Sequence, residues 1–353
     1  MSIDKFRVRN FRCLKELSLD GLKRINVFVG KNNTGKTSVL EALFFHAGEN
    51  NPTLGFSLRG HRGMENQFTL PVAPIPDLWT DLFHDFDITS VIELESQDTR
   101  RQMRRSVISL GGPGSQQLAI PGVEGIKNAV PSLSVEFTDA QGRTRNSQLV
   151  FGQRGMQVID GNGQPSEAAI MLPSNFRVSQ DEDATRMDRI VREKRKPSVM
   201  DLVRIIEPNL ADLALGLSGG RPTVVCDVGL KQLAPLPVLG EGTHKLVSIA
   251  LAVSSIPNGM LMIDEIENGI YFDLQKDLWL KLFALIKREN VQLFVATHSR
   301  EFLEALELAG AEKPEVAENV RLIRLSRKGK AVFVSEYDFP ALQSALATGF
   351  EVR

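Results

Sequence analysis

Two stretches of this chain carry residues able to grip and cleave a phosphate. Residues Gly30-Lys31-Asn32-Asn33-Thr34-Gly35-Lys36-Thr37 spell G-x-x-x-x-G-K-[ST] and follow the apolar run Ile25 to Val29. A buried strand, this glycine-rich turn and then a helix (Ser38 to about His46) are the context in which the octet forms a phosphate-binding loop. The glycines let backbone N–H groups curl around phosphate oxygens. Lys36 reaches the β- and γ-phosphates, and the Thr37 hydroxyl is a ligand for Mg²⁺. Gly30, Asn32, Asn33, Thr34, Gly35, Lys36, Thr37 and Ser38 are the expected phosphate-contacting set, and a nucleoside triphosphate is the expected ligand. The second stretch, Met260-Leu261-Met262-Ile263-Asp264-Glu265, is four apolar residues ending in two carboxylates. This is a Walker B pattern: a buried strand delivers Asp264 to the Mg²⁺ shell and Glu265 to the attacking water.

Two further segments complete the set. Phe294-Val295-Ala296-Thr297-His298-Ser299 places a histidine just past another apolar run, where it can meet the γ-phosphate or the water. Leu239-Gly240-Glu241-Gly242-Thr243-His244-Lys245 opens a helix with two glycines. Free N–H groups and the helix dipole make such an end an anion site, with Gly240, Gly242 and Thr243 as its contacts. Glu265, His298 and Lys36 are the expected catalytic residues, and Glu267-Asn268-Gly269 is expected to form a turn leaving the site, open to a neighbouring subunit.

These residues need a frame. Phe6, Val8, Leu17 and Leu19 alternate with polar residues as strands do, whereas Asn50 to Pro76 dissolves into Gly, Pro and Asn and reads as a loop. Short alternating segments follow at Ile88–Leu94, Ser106–Leu110, Leu133–Phe137, Ser147–Phe151 and Gln157–Ile159, which predict an antiparallel meander. Asp181 to about Lys196 and Val199 to Ile206 read as two helices broken at Pro197. Beyond them strands (Thr223–Val228, Met260–Ile263, Gln292–Ala296) alternate with helices (Gly242–Ser255, Tyr271–Lys287, Arg300 to about Leu308), which predicts a parallel sheet covered on both faces. Two strand-like pieces, Val320–Leu325 and Ala331–Val334, and a short helix close the chain. The expected class is α/β, a mostly parallel sheet flanked by helices. Residues 1–50 and 196–353 form a split nucleotide-binding domain, and 51–195 an inserted β-meander with a helical lobe.

Composition narrows the partners. The 353 residues are 24% charged and 42% hydrophobic with a formal net charge of -1, so no whole-chain basic field points to nucleic acid or an anionic membrane. Cys13 and Cys226 are the two cysteines, too few for a disulfide framework or a zinc site, which fits a cytoplasmic protein. Met1–Arg12 has no signal-peptide core, and the longest apolar stretch, Leu246–Ile256, is too short to span a bilayer. Arg100, Arg101, Arg104 and Arg105, and the run Arg186, Arg189, Arg192, Lys194, Arg195, Lys196, are the local basic clusters that a DNA path would use.

In this order the motifs resemble the ATP-binding-cassette (ABC) type of P-loop NTPase. The opening Phe6-Arg7-Val8-Arg9-Asn10-Phe11-Arg12, the L-G-x-G-T signature, the D-E-x-E-N-G turn and Thr297-His298-Ser299 are most similar to soluble ATPases of the overcoming-lysogenisation-defect (OLD) kind and related defence-island AAA-family ATPases. The resemblance covers the α/β parts of the chain. It implies ATP rather than GTP, and a homodimer or higher homo-oligomer in which each ATP lies between one subunit's P-loop and the other's signature. Gly240, Gly242 and Thr243 would then act in trans. Departures are visible: transporter-type signatures have Ser-Gly-Gly where this chain has Gly240-Glu241-Gly242, and the nearest Q-loop glutamine is Gln67, in the loop-like stretch. OLD nucleases carry a metal-binding domain after the ATPase, and no acidic cluster for one follows His298. Nuclease or toxin activity is therefore expected in a separate effector, with anti-phage defence as the setting. A RecF-like DNA-repair ATPase is the rival reading. A transporter subunit fits poorly with the motif variants and the large insertion.

Overall fold

The computed structural model describes residues 2–64, 78–111, 132–152, 155–159, 169–174 and 180–348. Alternating burial makes β1 (Ile3–Phe11) and β2 (Leu14–Leu19) an antiparallel pair, turned tightly at Arg12 with φ of 50°. Next come β3 (Ile25–Val29), buried at every residue, α1 (Lys36–Ala47) and α2 (Leu54–His61). The stretch expected to be loop thus contains a helix. Its Gly55 leaves no room for a side chain beside Trp79, and Phe56 stacks edge-on to that indole at 4.7 Å, so packing overrides the local glycines. Gln67 lies outside the described residues.

Strands β4 (Ile92–Asp98), β5 (Met103–Leu110), β6 (Leu133–Thr138), β7 (Thr144–Gly152) and β8 (Gly155–Ile159) form the expected meander. It is not a free-standing insertion. β4 pairs with β1, giving one seven-stranded antiparallel sheet in the order β2-β1-β4-β5-β6-β7-β8. The next strand, β9 (Ala169–Leu172), leaves that sheet altogether and runs parallel to the Walker B strand. Hydrogen bonding therefore stitches residues 51–195 into both halves of the frame.

Helices α3 (Gln180–Arg192) and α4 (Lys196–Val203) follow, with Pro197 in the first turn of α4, where its missing N–H costs nothing. A small antiparallel sheet of β10 (Asp212–Ser218), β11 (Arg221–Asp227) and β12 (Ala234–Pro235) takes the segment around Thr223–Val228, which the α/β alternation assigns to the parallel sheet. The remaining elements are α5 (Glu241–Ser255), β13 (Met260–Asp264), α6 (Gln275–Arg288), β14 (Gln292–Ala296), α7 (Arg300–Glu312), α8 (Pro314–Glu318), β15 (Val320–Lys328), β16 (Ala331–Tyr337) and α9 (Phe339–Ala347).

The six-stranded sheet has the order β16-β15-β3-β14-β13-β9 and is parallel except for β16. Its central strands bury both faces, as the unbroken apolar runs require. Ile25, Val27, Val29, Leu261 and Ile263 point into one core, shared with α3 to α7. Phe28, Met260, Met262 and Phe294 point into a second, shared with α1 and the antiparallel sheet. The result is a P-loop NTPase fold of α/β class.

Candidate functional site

Parallel register gathers the motifs. Ala296 is opposite both Phe28 and Asp264, so β3, β14 and β13 end level, and the loops after them begin side by side. In parallel α/β sheets, ligands bind outside these carboxyl ends. Gly30 opens the first loop with φ of 145°, its Cα against the Leu325 carbonyl, and Gly35 closes it at φ of 100° beside Leu14 and Cys13. Neither position accommodates a side chain. Asn33 is also left-handed at 64°, and the Thr34 hydroxyl donates to the Lys31 carbonyl at 2.8 Å. The loop is thereby wound tightly ahead of α1.

Lys36 donates to the carbonyls of Gly30 and Lys31 at 2.7 and 3.0 Å, and burial pushes its pKa below the usual lysine range. The Thr37 hydroxyl donates to Asp264 at 2.7 Å. Burial raises the Asp264 pKa against the opposing pull of that hydrogen bond. A buried carboxylate and a hydroxyl this close are a pair of hard oxygen donors, suited to Mg²⁺.

Glu265 sits at φ of 49°, a left-handed backbone that costs a non-glycine residue about 1 kcal/mol or more. Two residues hold it there. The Asn268 amide donates to the Glu265 carboxylate at 2.7 Å, and Lys245 donates to the backbone carbonyls of Glu265 and Asn268 at 2.7 and 3.0 Å. Burial lowers the Lys245 pKa to about 8. His298 lies beside the pair, its Nδ1 3.6 Å from Glu265 and 3.7 Å from Glu267. Glu267, expected to lead outward, is instead turned in. It accepts from the Thr297 hydroxyl at 2.7 Å and the His298 N–H at 3.2 Å, and so pins the loop after β14 to the loop after β13.

A cavity of about 970 Å³ opens over the glycine-rich loop and the end of β13. Asn32 to Ser38, Asp264 and Glu265 line it, together with residues that have no motif around them: Arg12, Arg62, Phe86, Ser174 and Lys330 among others. Arg12 and Arg62 both pair with the fully buried Glu41 of α1, Arg12 at 3.0 Å and Arg62 through two hydrogen bonds of 2.8 and 2.7 Å. Burial lowers the Arg12 pKa. Ser174 arrives by a route no local pattern reveals. Leu172 of β9 is opposite Ile263, which carries the next two residues, Pro173 and Ser174, alongside Asp264 and Glu265.

The turn at Gly240, Gly242 and Thr243 is placed apart. Gly240 precedes α5 and faces open space, whereas Gly242 packs against the Gly269 carbonyl with no room for a Cβ. Among the described residues lining the cavity, none comes from this turn. The basic clusters are largely spoken for. Arg105 pairs with Glu93 and Glu95, and the α3–α4 run is paired through Arg186–Glu182, Arg189–Glu193, Arg192–Asp188, Arg195–Glu289 and Lys196–Asp212. Arg100 and Arg101 stand exposed in the turn between β4 and β5. No described helix is long and apolar enough to cross a membrane.

Known proteins place this arrangement. Residues 1–104 match the family model described as "AAA ATPase domain", and residues 167–304 match "AAA domain, putative AbiEii toxin, Type IV TA system". An "ATP/GTP phosphatase" from Helicobacter pylori is 23% identical over 95% of this chain and 95% of its own length. A "DNA replication and repair protein RecF" from Lactobacillus acidophilus is 49% identical over 47 residues, 13% of this chain and 12% of the RecF. Among solved structures, an Smc head bound to the C-winged helix domain of ScpA overlays 98% of this chain and 100% of its own with a TM-score of 0.50 at 14% identity. Two stretches of the chain thus match AAA-type ATPase domain models, on a P-loop fold similar to that of an Smc head.

Proposed function

We propose that this chain binds and hydrolyses ATP and uses the cycle as a switch: ATP draws two copies together, and the paired state controls a separate effector protein. The observation that carries the reading is the level ending of β3, β13 and β14. It sets Lys36, Thr37, Asp264 and Glu265 around one cavity, with His298 3.6 Å from Glu265, while the Gly240–Thr243 turn does not line it. A helix N-terminus outside the cavity of its own phosphate loop suits the γ-phosphate of a second copy.

Phosphoryl transfer asks the protein for position and charge more than for covalent chemistry. The N–H groups of Asn32 to Ser38 hold the β-phosphate, and Lys36 exchanges its loop carbonyls for phosphate oxygens. Thr37 and Asp264 would hold Mg²⁺, which supplies charge neutralisation at the β- and γ-oxygens when bound. Glu265 orients the attacking water and takes its proton, and His298 supports the γ-phosphate or that water. Once the γ-phosphate leaves, the contact that favoured the dimer is gone, so hydrolysis reverses the switch.

Support for an effector-linked role in anti-phage defence comes from the signature-level resemblance to OLD-type ATPases and from the second matched family, described through a toxin–antitoxin system. The RecF match favours a second reading, a DNA-dependent ATPase, with Arg100 and Arg101 as exposed contacts. Steady-state ATP turnover with and without duplex DNA, at low and moderate salt, separates them. Stimulation that fades steeply with salt marks phosphate-contacting arginines and the DNA reading. Turnover indifferent to DNA leaves the effector switch. No turnover of any nucleoside triphosphate rejects both.

A further inference from the structure

The cation least explained by phosphate binding is Lys245. It is 2% exposed, lies one turn into α5, does not line the P-loop cavity, and directs its ammonium to the turn after β13. Its acceptors are main-chain oxygens, Glu265 at 2.7 Å and Asn268 at 3.0 Å. These two residues are themselves joined by the Asn268 amide on the Glu265 carboxylate. The same turn touches α5 a second time where the Gly269 carbonyl lies on Gly242. One lysine and one glycine of a single helical turn therefore clamp a loop whose key residue sits in a left-handed conformation that it would not adopt unaided.

We propose that Lys245 is the positioning residue of the hydrolytic step: by holding the backbone oxygens of Glu265 and Asn268 it fixes the turn that aims the Glu265 carboxylate at water. Unlike Lys36, it carries no phosphate load. Its hydrogen bonds set a backbone, and the backbone sets the base. The inference rests on the reading of Glu265 as the residue that activates water. It deepens that reading in one direction. If the Gly240–Thr243 turn receives the γ-phosphate of a second copy, the residue two positions beyond it carries news of that phosphate to the base of its own site. Two sites in a dimer would then fire together rather than independently.

The experiment uses the full chain and Mg-ATP. Lys245→Met keeps the volume and apolar stem and removes the donors, and Lys245→Arg keeps charge and donors with altered geometry. Asn268→Ala removes the second restraint from an accessible position and serves if Lys245→Met fails to fold. We expect kcat to fall about 100-fold in Lys245→Met and about 10-fold in Asn268→Ala, with nucleotide affinity within threefold of wild type and partial recovery in Lys245→Arg. A kcat within twofold of wild type in Lys245→Met overturns the proposal; if that variant does not fold, the same result in Asn268→Ala does so. Equal loss of affinity and kcat without recovery by arginine also overturns it and makes Lys245 a structural strut. A wild-type protein without turnover, by contrast, removes the ATPase reading itself and is seen before any variant is made.

Discussion

The Thr37 hydroxyl donates to the Asp264 carboxylate across 2.7 Å, joining the first turn of α1 to the end of β13 over 227 positions of sequence. Both groups offer oxygen to a divalent cation. Replacing Thr37 by Val keeps the shape and removes one donor, and it leaves Asp264 in a buried site that already disfavours its charge. The expected result is a rise of at least tenfold in the Mg²⁺ concentration for half-maximal turnover, with little change in melting temperature. A Mg²⁺ titration of ATPase activity checks it, and an unchanged midpoint removes Thr37 from the metal site.

Glu265→Gln conserves the side-chain hydrogen bond to Asn268 and the left-handed backbone but cannot accept a proton. Hydrolysis should fall by about 10² to 10⁴ while nucleotide binding survives. A dimer formed on ATP should then persist, so size measurement with and without ATP accompanies the kinetics. Near wild-type turnover would sink the assignment.

Gly240 and Gly242 invite a paired test. A methyl group on Gly240 meets open space, and its φ of −56° suits alanine, so Gly240→Ala should fold with wild-type stability. A methyl group on Gly242 collides with the Gly269 carbonyl and lies 2.8 Å from Ile206, which should cost about 1–3 kcal/mol. If the turn meets a second copy's phosphate, Gly240→Ala loses ATP-dependent dimerisation and most of the turnover despite its stability. If turnover is intact, the turn has no role in trans.

Acid stability should depend on a histidine far from the chemistry. His46, in the last turn of α1, hydrogen-bonds the Ser96 and Ser106 hydroxyls, each at 2.8 Å, and burial drives its pKa down to about 3. The unfolded chain takes up that proton near pH 6.5 and the folded one does not. Stability is thus fully present above about pH 6.5 and declines as pH falls toward 3. Between pH 7.5 and 5 the loss from this group should be about 2 kcal/mol. Urea midpoints across that range measure it, and His46→Gln should flatten the slope.

The local readings that needed only strand, turn and helix were legible. Ile25–Val29 running into Gly30–Thr37, and Met260–Ile263 ending in Asp264, fold as their residue types dictate. What was illegible was long-range pairing. Nothing in Ala169–Leu172 announces that these four residues pair with β13 rather than with the antiparallel sheet and bring Ser174 to the cavity that Glu265 lines. Glu267 and Asn268 read as an outward turn because charged and amide residues favour exposure. Thr297, thirty residues downstream, supplies the partner that turns Glu267 inward, a contact no short sequence window contains. Lys245 was visible as a letter in the signature, and its function as a clamp depended on an acceptor twenty residues away.

The placement of β3 has a consequence for how the chain comes to be folded. This strand, which presents the phosphate loop, hydrogen-bonds on one side to β14 and on the other to β15, both roughly 270 to 300 residues downstream. Contacts of such sequence separation form slowly because loop closure must precede their reward. During synthesis the finished Gly30–Thr37 octet has no sheet to stand on until nearly the whole chain has been made. Nucleotide capture is thereby deferred to the completed molecule, and a chain cut short anywhere before β15 carries the motif without its full sheet.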